Sequence, residues 1–169
     1  MAFGVKTNER PGTKAQVRNV RVSAYKVREV LNLIRGETVA RALETDCGVE
    51  VIVGEPGFEW LRRHEPSRGR LVVAPQLSDA QRAFQLATQY ALLVHGDMLE
   101  AETKDAGFTD PATRALARQA LAHYFAGALL LPYGEFLSEA RRVRYDVERL
   151  QDRFQVGFET VCHRLSTLQ

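Results

Sequence analysis

Cysteine is scarce in this chain. Only Cys47 and Cys162 occur, far apart and without C-x-x-C spacing, so no disulfide framework is expected and a reduced, cytoplasmic compartment is the plain reading. Long apolar runs are missing too: none reaches the ~18 residues that a membrane span needs. The opening MAFGVKTNERPG contains no apolar segment of the secretory type, so no export signal is expected. Histidines stand at 64, 95, 123 and 163, and no two of them have H-x-x-x-H spacing. There is no internal repeat and no low-complexity tract.

What is present is an ordinary soluble composition, 45% hydrophobic and 26% charged over 169 residues, enough for one domain with a real core. The net charge of +2 is unevenly spread. Residues 1–46 hold nine Lys/Arg and five Asp/Glu, a balance of +4, leaving fourteen and sixteen, a balance of −2, for residues 47–169. Affinity for nucleic acid is therefore expected in the first quarter.

The pattern along the chain predicts an α+β fold, mostly helical, with helices packed on a small sheet. Residues 15–22 alternate as a short strand or arm, and 24–35 carry a helical stripe closed by Gly36. A short helix follows over 38–45. VEVIV at 49–53 reads as a strand, and Trp60–Arg63 with Arg70–Val73 as a hairpin. Ser78 and Gln81 form a capping box for a helix over 79–95, with a shorter helix over 97–105. Asp110-Pro111 opens a long helix to Leu131, which Pro132 ends. Further helices are predicted over 134–143, 145–154 and 158–167. In the long helix, Tyr124, Phe125, Leu129 and Leu130 are expected in the core.

The segment KAQVRNVRVSAYKVREVLNLIRGETVARAL, residues 14–43, resembles the start of large-subunit ribosomal protein twenty-two. That resemblance implies contacts to ribosomal RNA phosphates from Lys14, Arg18, Arg21, Lys26, Arg28 and Arg35. Nothing after Leu43 follows the pattern, so the segment reads as an incomplete ribosomal-type piece, 1–45, ahead of a second unit, 46–169.

Residues 61–97, with ALAHYFAGALLLP at 120–132, resemble the ImmA/IrrE peptidase family, whose Leu-Ala-His-Glu-x-x-His helix and a later acidic ligand hold zinc. Aligning Leu86-Ala87 puts Thr88 at the first His, Gln89 at the catalytic Glu and Leu92 at the second His. The acidic position falls within Arg118-Gln119-Ala120-Leu121. A catalytic zinc takes about three N, O or S ligands, and these positions offer none. Gln89 cannot accept a proton from water, so the general base is missing as well. The expectation is a degenerate zincin frame: no catalytic residues, no metal and no enzyme activity.

Three further strings narrow the resemblance: LLPYG at 130–134, RYD at 144–146 and CHRLSTLQ at 162–169. With them the chain from about residue 46 resembles the short-chain fatty-acyl-CoA regulators, actinobacterial transcription regulators of the RamB type. The resemblance implies a ligand-sensing or interaction module in a regulator of short-chain fatty-acyl metabolism, with an acyl-CoA as its possible ligand. The DNA-binding helix-turn-helix with which that family begins has no counterpart here.

The candidate ligand pocket is the old zinc site, lined by Thr88, Gln89, Leu92, His123 and Tyr133, unless these side chains simply fill it as core. Arg141, Arg142 and Arg144 could meet a CoA phosphate or form a solvated helix face. Residues 150–168 also fit a helix-turn-helix, with Thr160, His163 and Arg164 offered to DNA, or a structural helical hairpin. Cys162 reads as a small buried hydrophobe. The alternative function is ribosomal RNA binding through the N-terminal segment. Oligomeric state and the identity of the acyl group stay open.

Overall fold

The computed structural model describes residues 39–168. The strand expected over 15–22, the helix over 24–35 and all six basic candidates, Lys14, Arg18, Arg21, Lys26, Arg28 and Arg35, lie outside the described residues.

The described chain is α+β and mostly helical, as its periodicity predicts. Its elements run α1 (Val39–Cys47), β1 (Glu50–Val53), β2 (Arg62–Glu65), β3 (Arg70–Val73), α2 (Asp79–Val94), α3 (Gly96–Asp105), α4 (Pro111–Leu130), α5 (Tyr133–Arg142), α6 (Val147–Phe154) and α7 (Phe158–Ser166). α1 runs through position 45/46, and its Ala42 and Leu43 are buried in the main core. The described end of the N-terminal segment therefore shares that core.

The sheet order is β1-β3-β2. β1 runs parallel to β3, with Val51 opposite Leu71 and Val53 opposite Val73. β2 runs antiparallel to β3, with Arg62 opposite Val73 and Glu65 opposite Arg70. The hairpin exists, but its first strand starts at Arg62 rather than Trp60. Pro66–Arg68 form a 3-10 turn, and Gly69 closes it at φ 59°, a left-handed conformation that glycine adopts without a Cβ penalty. That turn fixes the register, and it leaves Trp60 and Leu61 exposed ahead of the strand. β3 is central, with Leu71, Val72 and Val73 all buried, so it reads as a continuous apolar run rather than an alternation.

Local capping places the helices. Ser78 accepts from the backbone of Gln81 while the Gln81 side chain accepts from the Ser78 backbone. Asp110 accepts from the Thr113 backbone at 2.7 Å, with Pro111 in the first turn. Leu43, Leu71, Val73, Leu86, Tyr90, Leu99 and Phe125 make one core cluster around α2 and the sheet. Leu131, Phe136, Leu150 and Val161 belong to a second, under α5–α7. α4 serves both. Its Phe125 is buried and its Leu129 and Leu130 are packed against the two clusters, but Tyr124 is 42% exposed. Tyr124 is thus not a core residue of α4, a correction to its expected position. No helix among the described residues is long and apolar enough to cross a membrane.

Leu71 is fully buried at the centre of the sheet. Leu71→Ala is expected to destabilise the chain by about 3 kcal/mol, and Ser78→Ala, which removes half of the capping box, by about 1 kcal/mol. Urea unfolding followed by circular dichroism measures both.

Candidate functional site

The first half of α2, the middle of α4 and one face of α7 enclose a cavity of about 520 Å³, within the usual size range of small-molecule sites. Phe84, Gly127, Leu61 and Phe158 give it apolar wall, while Gln81, Gln85, His123, His163 and Arg164 supply polar groups. The spacing 81, 84, 85 puts one face of α2 into it. Phe84 and His123 meet across the cavity with ring centroids 5.5 Å apart.

Arg62, the first residue of β2, reaches across to α2. Its Nε donates to Gln89 Oε1 at 3.2 Å, and a terminal nitrogen donates to Gln85 Oε1. Burial pulls the Arg62 pKa below its usual value, yet a guanidinium stays charged in proteins. Among the described residues no carboxylate lies within 4.0 Å of it. Its charge is felt on α4: burial first, then Arg62, then His163 hold the His123 pKa below the ordinary 6.5. Gln119 and His123 approach at 2.8 Å one turn apart.

Arg164 is a buried guanidinium that lines the cavity. Its Nε donates to the Leu131 carbonyl at 3.1 Å, and its head lies 5.9 Å over the Tyr133 ring. It ties α7 to the end of α4.

The expected pocket residues separate. His123 lines the cavity. Gln89 is buried one turn beyond Gln85 and joins the site through Arg62. Thr88 is fully buried and its hydroxyl donates to the Phe84 carbonyl at 2.8 Å. Leu92 packs on the main core cluster. Tyr133 sits beside the cavity, against Arg164. The side chains aligned with the two zinc-binding His thus supply a satisfied hydroxyl and a hydrocarbon, and the one aligned with the catalytic Glu an amide bound to a cation. They do not fit a zinc ion.

Thr160, His163 and Arg164 all line the cavity. Of the three, Arg164 is buried, Thr160 is half-buried and His163 is exposed. Arg142 pairs with Glu139 at 2.5 Å on the exposed side of α5. Arg144 and Tyr145 take positive φ in the turn after α5. Cys162 is half-buried. The residues that sequence reasoning missed are Arg62 and Gln85. Gln85 was within reach, since it stands four residues before Gln89 on one helix face.

The IrrE N-terminal-like domain family matches residues 54–166. The HTH-type transcriptional regulator PrpR of Mycobacterium tuberculosis is 51% identical over 108 residues, 64% of this chain and 22% of that protein. The HTH-type transcriptional regulator RamB of Mycobacterium tuberculosis is 45% identical over 109 residues, again 64% of this chain and 23% of the relative. The propionyl-CoA carboxylase regulator of Cereibacter sphaeroides is 41% identical over 138 residues, 80% of this chain and 29% of the relative. The chain thus spans less than a third of these curated relatives. A solved Mycobacterium tuberculosis transcriptional regulator superposes with a TM-score of 0.80 at 39% identity, over 86% of this chain and 47% of that one. The likeness of residues 14–43 to a ribosomal protein finds no support in these matches.

His123 resists protonation in the fold while an unfolded histidine does not. Between the folded pKa and 6.5 the unfolded state binds more protons, so stability is full above that window and falls as pH drops through it. His95, whose pKa burial also lowers, acts in the same direction. An NMR titration is expected to place the His123 midpoint below 6.5, and His123→Gln is expected to lessen the stability lost on acidification.

Proposed function

This chain belongs to the IrrE N-terminal-like domain family, and from that premise we propose that it is a non-enzymatic ligand-sensing module of a transcription regulator, taking a short-chain acyl-CoA. The observation that carries the reading is the cavity itself. Apolar walls adjoin Arg164, a buried guanidinium with no carboxylate partner among the described residues, and Gln85, whose oxygen holds Arg62, while Glu159 also lines the cavity. Such a site favours a ligand with an apolar tail and anionic or carbonyl oxygens. The acyl group and its thioester carbonyl suit the interior. The relatives are named as regulators, one of them as the propionyl-CoA carboxylase regulator.

Catalysis has no support in the side chains. Gln89 stands where the family's general base stands, and an amide whose oxygen already accepts from Arg62 cannot take a proton from water. A binding event that stabilises one arrangement of α2, α4 and α7 is sufficient for sensing.

Thermal unfolding of the full chain with acetyl-CoA, propionyl-CoA, free CoA and RNA tests this. A ligand that binds only the native state at a hundredfold excess over its Kd adds about 2.7 kcal/mol, so an acyl-CoA is expected to raise Tm by several degrees. Gln85→Leu and His163→Ala should remove most of that rise. An acyl-CoA without effect, beside salt-sensitive retention of RNA by residues 1–46, would refute the sensing reading.

A further inference from the structure

A glycine inside a helix weakens it relative to alanine, because its unfolded backbone has more freedom to lose. Two structural needs justify that cost: a left-handed backbone, or a neighbour so close that no Cβ fits. Gly127 meets neither. It lies within α4 on a helical backbone, and its carbonyl accepts from the Leu131 N–H at 2.9 Å. Outside its own helix backbone and chain neighbours, a Cβ at 127 would meet no atom within 4 Å. The other described glycines stand in the first turn of a helix, in turns or in loops. The space left bare at Gly127 belongs to the cavity, which it lines together with His123 and Tyr124, four and three residues earlier on the same face of α4. Resting on the reading that this cavity takes an acyl-CoA, we propose that Gly127 sets the length of acyl group accepted: the end of the acyl chain lies where a side chain at 127 would be.

The surroundings suit a hydrocarbon end. Phe84 of α2 lines the same cavity, with its ring 5.5 Å from that of His123, one turn before Gly127. Leu77 and Phe158 add further apolar wall. One methylene more or less in an apolar pocket changes affinity by about 10- to 200-fold. A single Cβ at 127 takes up about the room of one such group, so it shortens the best-fitting acyl chain by about one carbon. Gly157 also lines the cavity, but it is the N-cap of α7, a position where glycine is accepted for the sake of the helix. Gly127 has no such reason of its own, and the room it leaves is room for a ligand.

Calorimetric titration of the full chain with free CoA, acetyl-CoA, propionyl-CoA and butyryl-CoA tests this in Gly127→Ala. Gly134→Ala serves as a control, since a Cβ there also meets nothing within 4 Å and the residue does not line the cavity. In Gly127→Ala, the affinity for the acyl-CoA that the unsubstituted chain binds best is expected to fall at least about tenfold relative to the next shorter one. Free CoA should bind as before, and Gly134→Ala should keep the unsubstituted ratios. Without ligand, Gly127→Ala is expected to melt about 3 °C higher, as alanine replaces glycine inside a helix. If the unsubstituted chain binds an acyl-CoA and Gly127→Ala keeps its ratios, or loses all four ligands equally, the role of Gly127 is overturned and the sensing reading stands. A lowered melting temperature also overturns it, because the glycine would then be a need of the fold. An unsubstituted chain that binds no acyl-CoA overturns both.

Discussion

The fold's functional character depends on one guanidinium held between a sheet edge and a helix. Arg62 leaves β2 opposite Val73 and ends against Gln85 and Gln89 of α2. A partly buried positive charge is costly unless its donors are used, so the two glutamines are constrained along with it. On α4, burial first and then the Arg62 charge lower the pKa of His123. Arg62 holds the Gln89 amide oxygen, and through Gln85 it is tied to the wall of the cavity.

The two core clusters explain how such a site can exist without weakening the molecule. α2 puts Leu86, Tyr90 and Ala91 into the main cluster, while Gln81, Phe84 and Gln85 line the cavity. Tyr90 donates to Asp46 at 2.8 Å, tying α2 to the end of α1, and burial followed by that carboxylate raises its pKa above the usual tyrosine value. On the other side, Arg164 anchors α7 to the Leu131 carbonyl, which sets the distance across which a ligand would sit. The cavity is thus bounded by elements of both clusters.

Much of this architecture is local and was readable. Ser78 with Gln81, and Asp110 before Pro111, mark helix starts because the capping groups are three residues from the amides they satisfy. The strand over 50–53 shows in its β-branched side chains. Sheet topology was less visible. The parallel pairing of β1 with β3, and the start of β2 at Arg62, depend on a 3-10 turn and a left-handed glycine rather than on alternation. Side-chain direction was least visible. Arg164 suits a DNA-reading helix until the Leu131 carbonyl and the Tyr133 ring are found to hold its head. Tyr124 sits among core residues in sequence and yet faces the cavity. Gln89 aligns with the family's general base, but its partner stands 27 residues away, and no periodicity reports a contact of that kind.

The most direct measurement is a crystal structure of the chain grown in zinc-containing solution, with diffraction recorded on both sides of the zinc absorption edge. The account predicts guanidinium density between Gln85 and Gln89 and no anomalous peak among Gln89, His123 and Gln119. A zinc peak there, with Arg62 turned out to solvent, would contradict it.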